Sequence, residues 1–404
     1  MDSIITRGVE SILHFPRSKK EHKRSVPRIS IPFSPIRSRS SSRSTSIISN
    51  LSLEDDASSL KSRATDYTPP TSVPPSPIAS PIVKPTRQSN PIDNYTIKRT
   101  LGTGCLGRVH LAQNRLDNRY YAIKTMDKHN VVQKRQTDHI NNERSILHGV
   151  SHPFLVNLIE TFQDDSHLFF VMEYVQGGEL FRILREHKRF NEKTARFFAA
   201  EVILALEYLH ERDIAYRDIK PENILLDADG HIKIVDFGFA KKVSDVTWTV
   251  CGTPDYFAPE IIKSKGYSKA VDWWSLGVLI YEMLVGRPPF EDKHPIELYQ
   301  KILECRVPWP EDMSPEAKDL LQGLLTPDPE KRLGHHSIDD IKSHPFFQGL
   351  DFEQVLKRNI EPPFRPEISS ASDTSCFARF EEPAEVTYGQ MRFADPYRSQ
   401  FPDF

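Results

Sequence analysis

From residue 95 onward the chain is patterned, and the pattern changes once, near residue 177. Ahead of that point, 95–101, 107–113 and 120–126 are short runs rich in β-branched and aromatic residues, and they predict three successive strands. Residues 134–148 have helical character, and 157–163 and 168–174 predict two more strands. The first part of the domain should therefore be mostly sheet with one helix. After Gly177 and Gly178 the pattern turns helical. Residues 191–211 are the clearest case, with Ala195, Phe198, Ala199, Val202, Leu206 and Leu209 on one apolar face. Pro-rich turns at 287–290 and 326–329 separate later helices, and no internal repeat is evident.

Residues 16–90 are rich in Ser, Pro and Arg, most densely at 38–46 and 68–81. Such a composition buries too little apolar surface to offset chain entropy, so disorder is predicted there. Upstream, Ile5, Val9 and Leu13 fall at helical spacing, which leaves open both a short docking helix and a solvated tail. The expected organisation is an extension over 1–94, a main domain over 95–347 and a tail over 348–404.

The length of 404 residues and the 38% hydrophobic content allow one large domain or two ordinary ones, plus tails. A net charge of -2 selects no partner class. It hides an asymmetry: fourteen Lys and Arg against seven Asp and Glu put residues 1–90 at about +7 and leave the remainder acidic. The cysteines at 105, 251, 305 and 376 form no C-x-x-C pair, which argues against a zinc site or a disulfide framework and fits a reducing compartment. No apolar run has membrane-spanning length, no signal-peptide core is present, and Asp2 stands where myristoylation needs Gly. A soluble cytoplasmic or nuclear protein is expected, with no nucleic-acid partner and no stable membrane anchor.

The candidate chemistry begins at 102–109, G-T-G-C-L-G-R-V. Gly102, Gly104 and Gly107 let backbone N–H groups approach phosphate oxygens with no Cβ in the way. A dinucleotide loop would open a helix at this point, whereas 108–111 continues as strand and favours a hairpin lid over nucleotide phosphates. Tyr121-Ala122-Ile123-Lys124 follows on the third strand, and Glu143 lies on the predicted helix. Further on stand Tyr216-Arg217-Asp218-Ile219-Lys220-Pro221-Glu222-Asn223, then Asp236-Phe237-Gly238, then Ala258-Pro259-Glu260.

In this order and spacing these segments resemble the protein kinases. The resemblance implies an α+β, two-lobed protein kinase fold. It comprises a small, mostly β N-lobe, a larger, mostly α C-lobe and a C-terminal tail wrapping the N-lobe. ATP and Mg²⁺ are the implied cofactors. Lys124 would bind the α- and β-phosphates and pair with Glu143. Asp218 would orient the substrate hydroxyl and accept its proton, and Lys220 would neutralise the γ-phosphate. Thr253 would contact both, while Asn223 and Asp236 would hold the metal. Val109, Ala122, Met172, Glu173, Val175 and Leu225 would form the adenine pocket and hinge. Asp272 would brace the catalytic-loop backbone, and Arg332 would pair with Glu260.

Over roughly 95–404 the chain resembles most the catalytic subunits of cyclic-AMP-dependent kinases. Trp248-Thr249-Val250-Cys251-Gly252-Thr253-Pro254 carries this likeness, as do Tyr216 and the final Phe401-Pro402-Asp403-Phe404. The likeness implies phosphorylation at Thr249, within a basic cage of Arg217, Lys241 and His139. Glu179, Glu222 and Glu282, with Glu381 from the tail, would receive arginines two and three residues before the target Ser or Thr. Val250, Pro254 and Phe257 would form the pocket for an apolar residue just after it. Asp255 replaces the usual Glu, Phe380 replaces the usual Tyr, and Thr387 is a candidate tail phosphosite. Phe377 would cover the adenine, and the final aromatics would support the helix of Glu143.

The implied partners are protein substrates with basic motifs and an inhibitory, cyclic-AMP-binding regulatory subunit that meets Trp248. Other readings remain. One is a basophilic kinase of the same group that ignores cyclic AMP. Another is a pseudokinase, although Lys124, Asp218 and Asp236 are all present. A third gives residues 1–94 a regulatory role, with Ser34, Ser76 and Ser80 each before Pro and with Arg43-Ser44-Thr45-Ser46-Ile47 as a self-phosphorylation candidate.

Overall fold

The structure is a computed structural model and describes residues 90–244, 246–249, 251–382, 388–389 and 395–404. The expectations for residues 1–89, Val250 and Thr387 lie outside the described residues.

Strands β1 (Tyr95–Thr103), β2 (Gly107–Asn114), β3 (Tyr120–Asp127), β4 (Leu158–Gln163) and β5 (His167–Glu173) form one antiparallel sheet in the order β1-β2-β3-β5-β4. Its register sets up the cleft. Gly102 pairs with Val109, Val109 with Lys124, and Lys124 with Phe170, while Ala122 pairs with Met172. Paired residues point to the same side and neighbours alternate, so Val109, Ala122, Lys124 and Met172 share one face. The other face carries Ala112, Ile123, Phe169 and Val171, which pack with Ile92, Tyr95 and Phe162 in a small core of their own.

Residues 91–94, assigned to the extension from sequence, belong to this lobe. Asn90 caps a short 3-10 turn over Pro91–Asn94, and Ile92 within it is buried. The helix expected over 134–148 is present as Thr137–Gly149, and a short helix that the sequence did not announce precedes it. Helix α1 (Lys128–Gln133) starts where the Asp127 carboxylate accepts from Asn130 N–H at 2.7 Å. It stops before Arg135, whose φ of 55° cannot continue a helix. Helix α2 (Thr137–Gly149) follows and buries Ile140, Glu143, Ile146 and Leu147 along one stripe.

The larger lobe is built on α3 (Leu180–His187), α4 (Glu192–His210), α5 (Ala270–Val285), α6 (Pro295–Glu304) and α7 (Pro315–Leu324). Asn191 caps α4 through Thr194 N–H at 2.9 Å. Helix α5 is buried all round from Ala270 to Leu284, as expected of the central helix of a large lobe. Two short ribbons, β6 (Ile214–Ala215) with β9 (Lys241–Lys242) and β7 (Ile224–Leu226) with β8 (Ile232–Ile234), hold the loops that carry Asp218 and Asp236.

Within the tail, Arg358 and Phe364 meet the larger lobe at Asp227 and Phe198, whereas Ala378, Glu382 and the described residues near 401–404 meet the small lobe. Phe401 is fully buried, Phe404 packs edge-on to Phe170 at 5.2 Å between ring centres, and Gln163 donates to the Phe401 carbonyl at 2.7 Å. Asn141 on α2 donates to Gln400 O at 2.9 Å. Tail residue Cys376 passes so close to Gly178, at φ +75°, that a Cβ there would sit 2.6 Å from its carbonyl oxygen. The Gly177-Gly178 pair therefore both ends the hinge and makes room for the tail.

His152 gives the fold a pH dependence. Its ring is buried and Nδ1 accepts from Phe154 N–H at 3.3 Å, which requires the neutral form. Burial, aided by Lys233 and Arg212, pushes its pKa down to about 4. The unfolded chain binds this proton near pH 6.5 and the folded chain only near 4. The contribution is thus complete above 6.5 and is lost as pH falls through that window, by roughly 3 kcal/mol in all. Urea unfolding at pH 7 and pH 4.5 should show a smaller pH difference for His152→Gln than for the parent. An equal difference would remove His152 from the account.

Candidate active site

On the sheet side, Lys124 Nζ donates to Glu143 Oε1 at 2.6 Å and lies 3.6 Å from Asp236 Oδ1. Burial opposes charge on Lys124, but Glu143 and Asp236 outweigh it and hold the ammonium pKa above its ordinary value. Lys124 in turn holds the Asp236 carboxyl below the usual carboxylate range. Asp236 sits at φ 58°, and Gly238 N–H donates to its Oδ1 at 3.2 Å. Glu143 Oε2 is buried without a hydrogen-bond partner.

Across the cleft, Asp218 is almost wholly buried and its two oxygens are differently engaged. Oδ2 accepts from Lys220 Nζ at 2.8 Å and from Asn223 Nδ2 at 2.7 Å, while Oδ1 accepts from the Thr253 hydroxyl at 3.0 Å. Lys220 also donates to Thr253 at 2.8 Å, closing a ring of three residues, Asp218, Lys220 and Thr253, to which Asn223 is attached through Asp218. Burial raises the Asp218 pKa, opposed by Lys220, Asn223 and Thr253. The loop that presents it is fixed from beneath. Asp272 on α5 is fully buried and accepts from Tyr216 N–H at 2.9 Å, from Arg217 N–H at 2.7 Å and from His210 at 2.8 Å. Arg217, at φ 71°, is strained, and these bonds hold it. The Tyr216 ring stacks edge-on to Phe237 at 5.4 Å, and its hydroxyl donates to Val235 O.

The residues fit a magnesium nucleotide. Both Asn223 amide hydrogens are committed to Asp218, so its oxygen remains for a cation beside the Asp236 carboxylate. Among the described residues no cluster of three or more His, Cys, Asp or Glu could hold a metal by itself. A pair of hard oxygens suits Mg²⁺, which takes its other ligands from phosphates and water. Gly102 has open space where a Cβ would stand.

Comparison with known proteins agrees with this geometry. The family model described as "Protein kinase domain" matches residues 95–347. The "cAMP-dependent protein kinase type 3" of Saccharomyces cerevisiae is 50% identical over 78% of this chain and 79% of its own length. The human "cAMP-dependent protein kinase catalytic subunit PRKX" is 48% identical over 72% of this chain and 82% of its own. The catalytic subunit of Arthrobotrys oligospora is 49% identical over 80% of this chain and 62% of its own.

The chain belongs to the protein kinase family, among the cyclic-AMP-dependent catalytic subunits. It is a serine/threonine protein kinase with the two-lobed fold.

Around the kinase's central cluster, the other expected residues fall into groups. Val175 is buried, Leu225 bridges to Glu179, and the Phe377 ring lies 5.9 Å from Tyr174 at the hinge. The Glu173 carboxylate is turned to the back of the hinge, where Asn157 N–H and Lys233 Nζ each donate to it at 2.8 Å. Glu179 and Glu222 are exposed, and among the described residues neither has a cation within ion-pair distance. Desolvation, with Glu222 next in effect, pushes the Glu179 pKa up; desolvation also raises that of Glu222.

Glu282 differs from them. It is buried and already holds Arg185 of α3 at 2.9 Å and the Tyr256 hydroxyl. Neither partner was found from sequence, since separations of 97 and 26 residues leave no local signal. Glu381 is exposed on the tail, and it is the next residue, Glu382, that bonds Thr100 of β1 through N–H at 2.6 Å and hydroxyl at 2.7 Å. Pro254 and Phe257 flank a short turn, and Phe257 is buried.

Of the expected cage of Thr249, Arg217 connects to it through Tyr267, whose hydroxyl takes the Arg217 bond and donates to the Thr249 carbonyl. Thr249 and Trp248 are exposed. Arg217 donates to Phe239 O at 2.7 Å and to the Tyr267 hydroxyl at 3.0 Å, Lys241 donates to the Thr247 hydroxyl at 3.0 Å, and His139 bonds Gln136 at 2.7 Å. Arg332 meets Glu260 through two buried bonds of 2.7 and 2.9 Å.

Proposed function

We propose that the kinase transfers the γ-phosphoryl group of Mg-ATP to Ser or Thr in Arg-Arg-x-Ser/Thr-apolar sequences. In this reading it is the catalytic subunit of a kinase restrained by a cyclic-AMP-binding regulatory subunit. The carrying observation is the Asp218–Lys220–Thr253 ring, with Asn223 bonded to Asp218, opposite the Lys124–Glu143–Asp236 cluster.

Asp218 accepts or orients the proton of the incoming hydroxyl, and its raised pKa favours that exchange. Lys220 neutralises charge at the transferred group and Lys124 at the other phosphates. Asn223 and Asp236 hold Mg²⁺, which when bound screens phosphate charge. Glu179 and Glu222, exposed carboxylates that among the described residues have no cation within ion-pair distance, suit incoming arginines. Pro254 and Phe257, with Val250, take the following apolar side chain. Phosphate on Thr249 would draw in Arg217, Lys241 and His139. The extension, kinase domain and tail keep the boundaries 1–94, 95–347 and 348–404, with 91–94 packed on the domain.

The test is transfer from Mg-ATP to an Arg-Arg-x-Ser-apolar peptide and to variants lacking either Arg, with and without a regulatory subunit and cyclic AMP. The expected result is transfer that needs both arginines and is blocked by the subunit until cyclic AMP is added. Transfer indifferent to the subunit would move the kinase to the neighbouring basophilic reading. Absence of transfer with Thr249 phosphorylated would overturn the enzymatic assignment of these residues.

A further inference from the structure

The turn between β1 and β2 has few ties of its own. Strand pairing ends at Thr103 opposite Arg108, and inside the turn Gly104 N–H donates to Gly107 O at 2.9 Å. Leu106 packs part-buried against the main core. Among the described residues, the polar bond that ties the tip to a distant part of the chain comes from Lys134, whose Nζ donates to the Cys105 carbonyl at 2.5 Å.

Lys134 is well placed to hold something. It ends α1, and its N–H bonds both Asn130 O and Val132 O. The left-handed Arg135 then turns the chain, Gln136 N–H returns to Val131 O at 2.9 Å, and the Gln136 amide donates to Lys134 O at 3.2 Å. Val131 is fully buried, so the Lys134 backbone is anchored and only its side chain is free to reach. The other end of α1 is fixed through Lys128. That ammonium is fully buried among Gln163 Oε1 at 2.6 Å, Asp164 O at 2.6 Å and the carboxylate of Asp395 in the tail.

We propose that Lys134 is a positioning residue for phosphoryl transfer, clamping the glycine-rich tip over the phosphate end of the nucleotide from a helix whose place depends on Asp395. The inference rests on the nucleotide reading of the cleft. The peptide plane gives the reason. In a trans peptide the Cys105 C=O and the Leu106 N–H point opposite ways. Holding the carbonyl out toward Lys134 aims the Leu106 N–H to the other side of the turn, as a donor for a phosphate oxygen. It also keeps a carbonyl dipole from facing phosphate charge.

Three variants test this: Lys134→Met, which keeps the length and loses the donor; Lys134→Arg, which keeps a cation; and Asp395→Asn. The readouts are amide exchange of residues 103–108 in nucleotide-free protein, release of a fluorescent ADP analogue, and the KM for Mg-ATP and for peptide. Lys134→Met should speed exchange at 103–108 and raise KM for Mg-ATP and nucleotide release by about fivefold. The peptide KM and the melting temperature should not move. Lys134→Arg should recover most of the effect. Asp395→Asn should reproduce the faster exchange and the higher KM for Mg-ATP and, because it strands the buried Lys128 ammonium, should also lower the melting temperature; adding Lys134→Met to it should change exchange at 103–108 little more. Unchanged exchange at 103–108 in Lys134→Met would overturn the proposal whatever the activity. Failure of the parent enzyme to transfer phosphoryl would instead count against the functional reading, because the exchange measurement needs no turnover.

Discussion

Asp218→Asn should lower phosphoryl transfer by about 10²–10⁴-fold while leaving the fold intact. The intact fold follows from how the carboxylate is held. An amide oriented with its oxygen toward Lys220 and Asn223 keeps both of those bonds. Its NH₂ then faces the Thr253 hydroxyl, which can turn from donor to acceptor. What is lost is the negative charge and the site for the substrate proton. Single-turnover transfer to the peptide, measured beside urea unfolding, separates the two effects. A variant that keeps more than a tenth of the parent rate would remove the proton-accepting role from Asp218.

The second large effect is on stability. Arg332 is buried, bonds both oxygens of Glu260, and also donates to Ala270 O at 2.8 Å and Thr326 O at 3.0 Å. Its guanidinium lies 5.3 Å from the Trp274 ring centre. Arg332→Met leaves a buried carboxylate with no cation and should cost roughly 3–5 kcal/mol. Lys should rescue little, because it lacks the planar fork that spans both oxygens. Urea unfolding at pH 7 reads the loss. A second change, Glu260→Gln, in the Met background should recover part of it by removing the stranded charge. No recovery would mean that Arg332 stabilises through packing on Trp274 and the two carbonyls instead.

Much of the cleft is readable from sequence because its parts are short and local. The Lys124 strand, the stripe of α2 and the 216–223 and 236–238 loops each carry their chemistry within a few residues. Helix α4 is equally legible, from its Asn191 cap to its apolar face. The break before α2 is not, because Arg135 takes a left-handed conformation that a sequence normally marks with Gly or Asn. Nor are pairs that close long loops, such as Arg185 on Glu282 or Lys128 on Asp395. Tyr388 is a further example. Its hydroxyl meets His110 at 2.8 Å and Thr125 at 3.1 Å on the outer face of the sheet, in a tail with no periodicity to announce it.

The seat of Lys128 bears on how the chain is made. A ribosome delivers the sheet of the small lobe long before residues 395–404. Until those residues emerge, the ammonium at 128 lacks its carboxylate, and the site filled by Phe401 is empty. The nascent small lobe therefore waits, partly finished, through synthesis of the entire helical lobe. Chaperones that shield exposed apolar surface should engage it during that interval and let go when the last residues dock.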